Sequence, residues 1–257
     1  MSHNGEVTDV RDTGVAGPPQ GSRLHPRVTS FRSRSSVLTP TQQGAWDRQW
    51  DRLGRNVADE PLDAEGWFGR SAPLIIEIGS GTGTATAAMA QREPDKDLLA
   101  VEVYRPGIAQ LLGSLERENI PNVRTLRGDA VDVFQNMIGP ASILGIRVFF
   151  PDPWPKSRHH KRRLLQPSAF ALFADRLIDG GVIHVATDHA EYAEYVAESG
   201  DGEPLLSRLP VGTPNEVREA AVPNSPMRHD RPRTKFEMKA EEQGRAVTEL
   251  LWRRNNR

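Results

Sequence analysis

Residues 74–83 read Leu-Ile-Ile-Glu-Ile-Gly-Ser-Gly-Thr-Gly, and residues 84–91 continue with a helical pattern. An apolar strand, a glycine turn and a helix in this order begin a doubly wound α/β fold. A dinucleotide fingerprint has its third glycine one position later, and a P-loop ends in Gly-Lys followed by Ser or Thr. We therefore expect Gly79, Gly81 and Gly83 to let the backbone approach a small ligand that is not held by phosphates. A purely structural turn is the alternative.

Acidic residues lie at the ends of the expected strands. Glu77 lies two residues before the first glycine and offers a carboxylate to an ammonium group or a water network. Glu102 ends a second strand about 20 residues past the glycines, where an acid in doubly wound folds binds a ribose diol. Asp129 follows a third strand and is placed to accept from an adenine amine, with Asp132 as its rival. The pattern predicts a nucleoside ligand, although a surface acid needs no ligand at all.

Residues 148–163 read Val-Phe-Phe-Pro-Asp-Pro-Trp-Pro-Lys-Ser-Arg-His-His-Lys-Arg-Arg. The prolines lack backbone donors and fix φ, so they predict a stiff turn after a fourth strand that holds Asp152 and Trp154. We expect Trp154 to support this turn more than to stack on a base, because the two flanking prolines place it for packing. Cations beside an aromatic residue suggest nucleic-acid binding, whereas a solvated surface is the alternative. The cations of this block are Lys156, Arg158, Lys161, Arg162 and Arg163.

The remaining segments complete an α/β domain at residues 37–257, after a disordered N-terminal arm at residues 1–36 that lacks hydrophobic periodicity. A capping box at Thr39 predicts a helix to Leu53 whose Trp46 and Trp50 face the core. We further expect a helix over 167–178, a fifth strand over 182–187 that ends before Asp188, and a long loop over 199–232. A short helix then starts at residues 234–237, and the last strand spans 246–253.

Composition restricts the function classes. The 257 residues carry a net charge of −1, so affinity for a polyanion has to come from local clusters of cations. There is no cysteine, which excludes disulfides and thiolate zinc sites. His159 and His160 are adjacent and cannot easily share one ion, so we expect no metal. Without an apolar segment of membrane length or a signal-peptide core, we expect a cytoplasmic protein, and we favour a monomer.

These motifs together resemble the bacterial tRNA (guanine-N7)-methyltransferases over residues 70–253. The glycine motif is shared by many S-adenosylmethionine enzymes, whereas the Pro-Asp-Pro-Trp turn with its basic tail and the distant Thr-Lys-Phe-Glu are highly specific together. The resemblance implies a class I methyltransferase fold, Rossmann-like, with a mostly parallel seven-stranded sheet. Two segments depart from the family: residues 32–36 only weakly match its Arg-rich, Gly-containing segment, and residues 202–233 fit poorly.

The resemblance also implies an activity, the transfer of methyl from S-adenosylmethionine to N7 of a guanine in the tRNA variable loop, which yields 7-methylguanosine. Asp152 becomes a catalytic residue that also borders the cofactor. The implied cofactor ligands are Glu77, Gly79, Gly81, Gly83, Glu102, Asp129 and Asp152. The implied tRNA ligands are Lys156, Arg158, Asp188, Thr234, Lys235, Phe236 and Glu237.

The chemistry of the residues agrees with this activity. Guanine N7 already carries a free lone pair and needs no general base, so Asp152 is best cast as a group that orients the guanine and offsets the developing positive charge. A non-catalytic RNA-binding relative would not need the complete acidic rim. An amino-group methyltransferase would have an Asp or Asn followed by two prolines and an aromatic residue, whereas Pro153 alone separates Asp152 from Trp154.

Overall fold

The computed structural model describes residues 37–210 and 225–256. The N-terminal arm expected at residues 1–36 and part of the expected long loop lie outside these described residues. The helices are α1 (Pro40–Leu53), α2 (Ala64–Phe68), α3 (Thr84–Arg92), α4 (Arg105–Glu118), α5 (Ala130–Asp132), α6 (Pro167–Arg176), α7 (Ala190–Asp201) and α8 (Lys235–Glu242). A π-helical turn spans Val133–Met137, and a 3-10 helix spans Ser157–Arg162.

In the described residues, eight strands form one sheet. They are β1 (Gly54–Asn56), β2 (Leu74–Ile78), β3 (Asp97–Glu102), β4 (Val123–Arg127), β5 (Ile143–Phe149), β6 (Leu177–Thr187), β7 (Leu206–Arg208) and β8 (Thr248–Arg254). Their order is β1-β4-β3-β2-β5-β6-β8-β7, and only the pairs that involve β8 are antiparallel. The expected doubly wound, mostly parallel α/β fold is therefore confirmed.

The sheet has one strand more than the expected seven. All six strands located from the sequence are present, and the two further strands, β1 and β7, are three residues long and lie at the two edges. β1 falls in a segment that reads as a connection, because two of its three residues are exposed and show no apolar alternation. β7 falls in the expected long loop. β6 begins at Leu177, so the preceding helix ends at Arg176, two residues earlier than expected.

Apolar layers cover both faces of the sheet. On one face α1, α3 and α4 pack through Leu53, Met89 and Leu112. Helix α1 has the expected capping box, in which Thr39 and Gln42 bond each other's backbone amides. Trp46 and Trp50 stack at 4.0 Å and pack partly buried against this layer, so the prediction that they face the core is confirmed. The other face carries aromatic side chains: Phe134, Phe170, Phe173, Tyr192 and Trp252.

The sheet order places a crevice between β2 and β5. From β2 the chain runs outward through β3 to β4, and it then returns to pair β5 with β2 on the opposite side. Ligands of open α/β sheets bind at such a reversal, at the carboxyl ends of the strands. Within 37–210 and 225–256, no helix has both the length and the apolar character needed to cross a bilayer.

Candidate active site

A cavity of about 190 Å³ lies at this crevice, above the carboxyl ends of β2, β3, β4 and β5. One wall consists of the glycine turn, the end of β3 and the start of α5, and the other wall is the proline turn. Polar groups on the walls are Glu102, Asp129, Asp152 and the backbone of the glycine turn. The apolar lining includes Ile78, Val101, Ala130, Val148, Leu164 and Phe236. Three of the expected acidic residues thus meet in one cavity.

The three glycines of the turn serve two different purposes. Gly79 and Gly81 have φ of +75° and +57° and line the cavity, and apart from Gly79 itself and its two chain neighbours no described residue has an atom within 4 Å of the position of a Cβ on Gly79. Gly83, with φ of +76°, begins α3, and a Cβ there would lie 2.4 Å from Leu111. Gly83 therefore permits the packing of α4, and the structure does not bring it to the cavity wall.

Glu102 connects the glycine turn to the end of β3. Its Oε2 accepts from the Gly81 amide at 2.7 Å, and its Oε1 accepts from the Val103 and Tyr104 amides at 2.7 and 2.8 Å. Three amide donors fix the carboxylate without using all its lone pairs. The remaining acceptor sites can meet the two hydroxyls of a ribose.

Of the two rival aspartates, Asp129 lines the cavity and Asp132 is absent from its lining. Asp129 also caps α5, because its Oδ1 accepts from the Val131 amide at 2.9 Å. This cap fixes the side chain at the carboxyl end of β4, beside the apolar Ala130.

Glu77 lies behind the cavity and not in its lining. Along β2 it shares the face of Ile75, opposite to Ile76 and Ile78, and it is 3% exposed. Its Oε2 has no hydrogen-bond partner among the described residues. Burial raises the pKa of the Glu77 carboxyl to about 7, although the positive charge of Arg147 on the neighbouring strand opposes the shift. The structure thus places this carboxylate under the glycine turn, at the start of a buried polar layer.

The proline turn that carries Asp152 begins and ends in unusual backbone conformations. Phe150 and Trp154 have φ of +52° and +46°, which for residues with side chains costs about 1 to 3 kcal/mol each. Contacts hold both: the Phe150 amide donates to the Ala186 carbonyl at 2.8 Å, and Arg163 Nε donates to the Pro153 carbonyl at 3.0 Å. Asp152 is therefore presented on a rigid turn.

Trp154 supports the turn, as expected. It is 3% exposed, the Arg162 guanidinium covers its ring at 3.9 Å, and His159 meets it edge-on at 5.8 Å. A buried and covered ring cannot stack on a base.

The basic block divides into inward and outward members. Arg163 is 2% exposed and pairs with Glu191 at 2.9 Å, so the sequence-based assignment of Arg163 to a phosphate-facing block is wrong. The Arg162 guanidinium packs on the Trp154 ring. The side chains of Lys156, Arg158 and Lys161 are exposed. A second cavity of about 390 Å³ adjoins the first at Leu164 and is lined by Lys161, Arg162 and Arg163.

The segment 234–237 lies over the cavity. Thr234 caps α8 through the Glu237 amide, and Phe236 lines the cavity mouth, where its ring stacks on Phe150 at 6.1 Å. Lys235 is exposed, whereas the Glu237 carboxylate is 1% exposed and pairs with Arg231 at 2.5 Å.

Comparisons with known proteins identify the family. A family model described as "Putative methyltransferase" matches residues 71–250. A protein of Rhodococcus jostii (strain RHA1) named tRNA (guanine-N(7)-)-methyltransferase is 63% identical over 98% of this chain and 96% of its own length. The chain belongs to the tRNA (guanine-N7)-methyltransferase family. A relative of the same name from Nocardia farcinica (strain IFM 10152) is also 63% identical, over 91% of this chain and 87% of its own length.

Solved structures agree at the level of the fold. The 16S rRNA methyltransferase KamB superposes with a TM-score of 0.51 at 13% identity, over 76% of this chain and 95% of its own. The antibiotic-resistance methyltransferase Kmr gives 0.50 at 12% identity, over 76% and 92%. These likenesses support the class I methyltransferase architecture that the family resemblance implied.

Asp188, which is expected to contact the tRNA, and the neighbouring His189 are both engaged with the protein itself. Asp188 follows β6 and forms an ion pair with Arg245. His189 caps α7, with its Nδ1 accepting from the Tyr192 amide at 3.3 Å. Among the described residues, no three His, Asp or Glu side chains are grouped closely enough to hold a metal ion.

Sequence reasoning missed Tyr104, Phe150 and Arg231. Tyr104 and Phe150 line the cavity, and Arg231 is buried next to it. For Phe150 the signal was misleading, because the position before a proline favours extended backbone, whereas Phe150 has a left-handed φ of +52°. Arg231 had none, since it lies in a segment without periodicity.

Proposed function

We propose that this protein transfers a methyl group from S-adenosylmethionine to N7 of a guanine in the variable loop of tRNA. The observation that carries the proposal is the placement of Asp152 across one cavity from Glu102 and Asp129, next to an exposed group of cations. The family of the chain supports the same reaction.

The cavity fits the parts of S-adenosylmethionine. Glu102 has acceptor sites left for the ribose hydroxyls, and Asp129 stands at the end of β4 to accept from the adenine amine. The apolar lining, with Val101, Ala130 and Leu164, suits the faces of a purine. The open space at Gly79 gives a methionine portion access to the backbone of the turn.

When bound, the cofactor supplies an electrophilic methyl group on a sulfonium. The protein needs no general base, because guanine N7 is already an acceptor with a free lone pair. Its task is to hold the guanine in line and to offset the positive charge that methylation creates on the purine. Asp152, fixed between Pro151 and Pro153, is the carboxylate that performs this task.

The tRNA reaches the site along the outward cations. Lys156, Arg158 and Lys161 lie on the surface directly after Asp152, where they bind backbone phosphates. Phe236, 59% exposed at the cavity mouth, offers a ring to the incoming base. Thr234 and Lys235 stand beside Phe236 at the start of α8, and Asp188 follows the carboxyl end of β6, and we assign all three to contacts with the RNA around the guanine. Glu77 and Glu237 are buried, and they support the site from within.

Nucleoside mass spectrometry of tRNA incubated with the protein and S-adenosylmethionine tests the proposal, with 7-methylguanosine as the expected product. Reduction and aniline treatment cleave RNA at this cationic nucleoside, so the fragment lengths locate the methylated guanine, and cleavage is expected in the variable loop. A methylated exocyclic amine would overturn the proposed atom. Cleavage elsewhere would overturn the proposed position. Unmodified tRNA would favour a non-catalytic relative.

A further inference from the structure

Arg231 connects three parts of the structure that surround the cavity, although it does not line the cavity itself. It is 1% exposed. Its Nε donates to Glu249 Oε1 on β8 at 2.8 Å, and one terminal nitrogen donates to Glu237 Oε2 on α8 at 2.5 Å. The other terminal nitrogen lies 2.6 Å from Glu249 Oε1. Both carboxylates are buried, and the other oxygen of Glu249 lies 2.7 Å from His184 Nε2, so Arg231 belongs to a buried cluster of ionisable side chains.

The aromatic contacts of Arg231 lead to the proline turn. Its guanidinium lies 5.1 Å from the centre of the Phe150 ring and 5.7 Å from that of Phe149. Phe150 is the left-handed residue two positions before Asp152. A shift of the Arg231 guanidinium would therefore change its contact with Phe150, whose backbone conformation sets the direction of the turn.

The ion pair with Glu237 leads to the other side of the cavity mouth. Glu237 occupies the third position of α8, and its amide donates to the Thr234 cap. Phe236 is the preceding residue, and its ring meets Phe150 at 6.1 Å. Arg231 therefore touches the element that carries Phe236 through one contact and the turn that carries Asp152 through another.

Stability alone does not account for this arrangement. Burying charges is costly, and buried ion pairs are frequently no more stabilising than apolar residues of the same shape. The planar fork of an arginine instead fixes the directions of two partners at once. A lysine would keep the charge and lose the fork.

We propose that Arg231 is a positioning residue for methyl transfer, which sets Phe236 and the Asp152 turn relative to each other across the cavity. The inference rests on the proposed function, and it assigns to that reaction a residue that does not line the cavity. Arg231→Lys should lower the single-turnover methylation rate about 10- to 100-fold, the size of effect expected when reacting groups are misplaced by up to about 1 Å. tRNA affinity should change less than about twofold, because Arg231 is buried and reaches no phosphate.

Arg254→Lys is the matched control. Arg254 is 2% exposed and lies at the opposite end of β8, where its Nε donates to the Ala174 carbonyl at 2.8 Å. Its replacement should lower the melting temperature without lowering the rate of the folded protein. Glu237→Gln is a milder change in the same cluster, and it should show part of the rate loss expected for Arg231→Lys. It tests the inference in case Arg231→Lys folds poorly.

A double-mutant cycle separates positioning from general damage. If Arg231 acts through Phe236, then Phe236→Ala should slow the wild-type enzyme about 10-fold and the Arg231→Lys enzyme much less. Full additivity of the two changes would overturn the inference, and so would a normal rate for Arg231→Lys and Glu237→Gln alongside an active wild type. An inactive wild type and an inactive Arg254→Lys enzyme would instead contradict the proposed function.

Discussion

The Glu102 carboxylate both holds the glycine turn and is the proposed acceptor for the cofactor ribose. Replacing it should therefore strongly lower the affinity for S-adenosylmethionine. Glu102→Ala removes the proposed ribose acceptor and the bonds that hold the Gly81 and Tyr104 amides. Charge-assisted hydrogen bonds contribute roughly 1.5 to 3 kcal/mol, so S-adenosylmethionine affinity should fall about 10- to 150-fold by calorimetry. Glu118→Ala, at the exposed end of α4, is the control and should bind normally. Unchanged affinity in Glu102→Ala would remove this residue from the cofactor site.

Asp152 should affect turnover far more than cofactor affinity. Asp152→Ala should lower turnover about 10²-fold or more, the loss seen when one preorganised transition-state group is removed. Asp152→Asn should fail too, because an amide keeps the shape and loses the negative charge. Asp95→Asn, an exposed carboxylate in the turn before β3, is the control. Substantial activity in Asp152→Asn would show that charge stabilisation is the wrong role.

The sequence located the acidic residues of the site but did not determine which of them reach the cavity. Glu102 is the last residue of β3, and Asp129 and Asp152 follow the ends of β4 and β5, and that position alone brings them to the rim. Glu77 lies within β2, so the alternation of the strand decides its direction and sends it to the opposite face from Ile78. Glu237 is turned inward by Arg231, a partner that no spacing in the sequence indicates.

At the scale of single elements, the proline turn was predictable as a rigid feature, and its detailed shape was not. The prolines predict that β5 ends before them. The left-handed backbone of Phe150 and Trp154 depends instead on contacts with Arg231, Arg162 and Arg163. The edge strands β1 and β7 were missed for a related reason. Each is three residues long, and its conformation comes from pairing with a neighbour and not from its own pattern.

The basic segment after this turn should contribute to tRNA binding through its exposed side chains only. Changing Lys156 and Lys161 together to Gln should flatten the log–log salt dependence of tRNA binding by about 0.7 to 0.9 per lost contact. Filter binding over a series of salt concentrations measures the slope. S-adenosylmethionine affinity should remain unaltered in the same protein.

A matched pair of cations on a distant surface provides the control for that experiment. Arg52 and Arg117 are exposed at the last turns of α1 and α4, at the other end of the sheet from the cavity. Their double change to Gln should leave the slope intact. Equal slopes for both double variants would show that Lys156 and Lys161 form an ordinary solvated surface.

Across the whole molecule, a layer of ionisable side chains crosses one face of the sheet. Glu77 on β2 is in register with Arg147 on β5, Arg147 with His184 on β6, and His184 Nε2 lies 2.7 Å from Glu249 on β8. All four side chains are buried. The stability of the fold should therefore depend on pH in a way that surface charges would not produce.

Glu77 determines the sign of one part of that dependence. Burial raises its pKa from 4.5 to about 7, so the folded state holds this proton more tightly than the unfolded chain does. The favourable contribution is complete below pH 4.5 and is lost as the pH rises to about 7. Glu77→Gln should become more stable relative to wild type by about 2 to 3 kcal/mol between pH 5 and pH 8, measured by urea unfolding.

The comparison between variants isolates this carboxyl from the histidines. Burial lowers the pKa values of His184 and His229, so their contribution is lost as the pH falls and has the opposite slope. This contribution is common to both proteins and cancels in the difference. Glu118→Gln makes the same chemical change on the surface and should give a curve parallel to wild type. A parallel curve for Glu77→Gln as well would mean that the carboxyl is not desolvated in the folded protein.

The position of β8 has a consequence for the order in which the protein is made. β8 comes last of the eight strands along the chain, yet it lies inside the sheet between β6 and β7. While a ribosome is still adding the stretch from Thr187 to Thr248, the emerging chain already carries β6, whose apolar edge has no partner. Unpaired strand edges invite association between nascent chains. Stalled or shortened translation products of this protein should therefore aggregate, and they should also lack the α8 side of the methyl-transfer cavity.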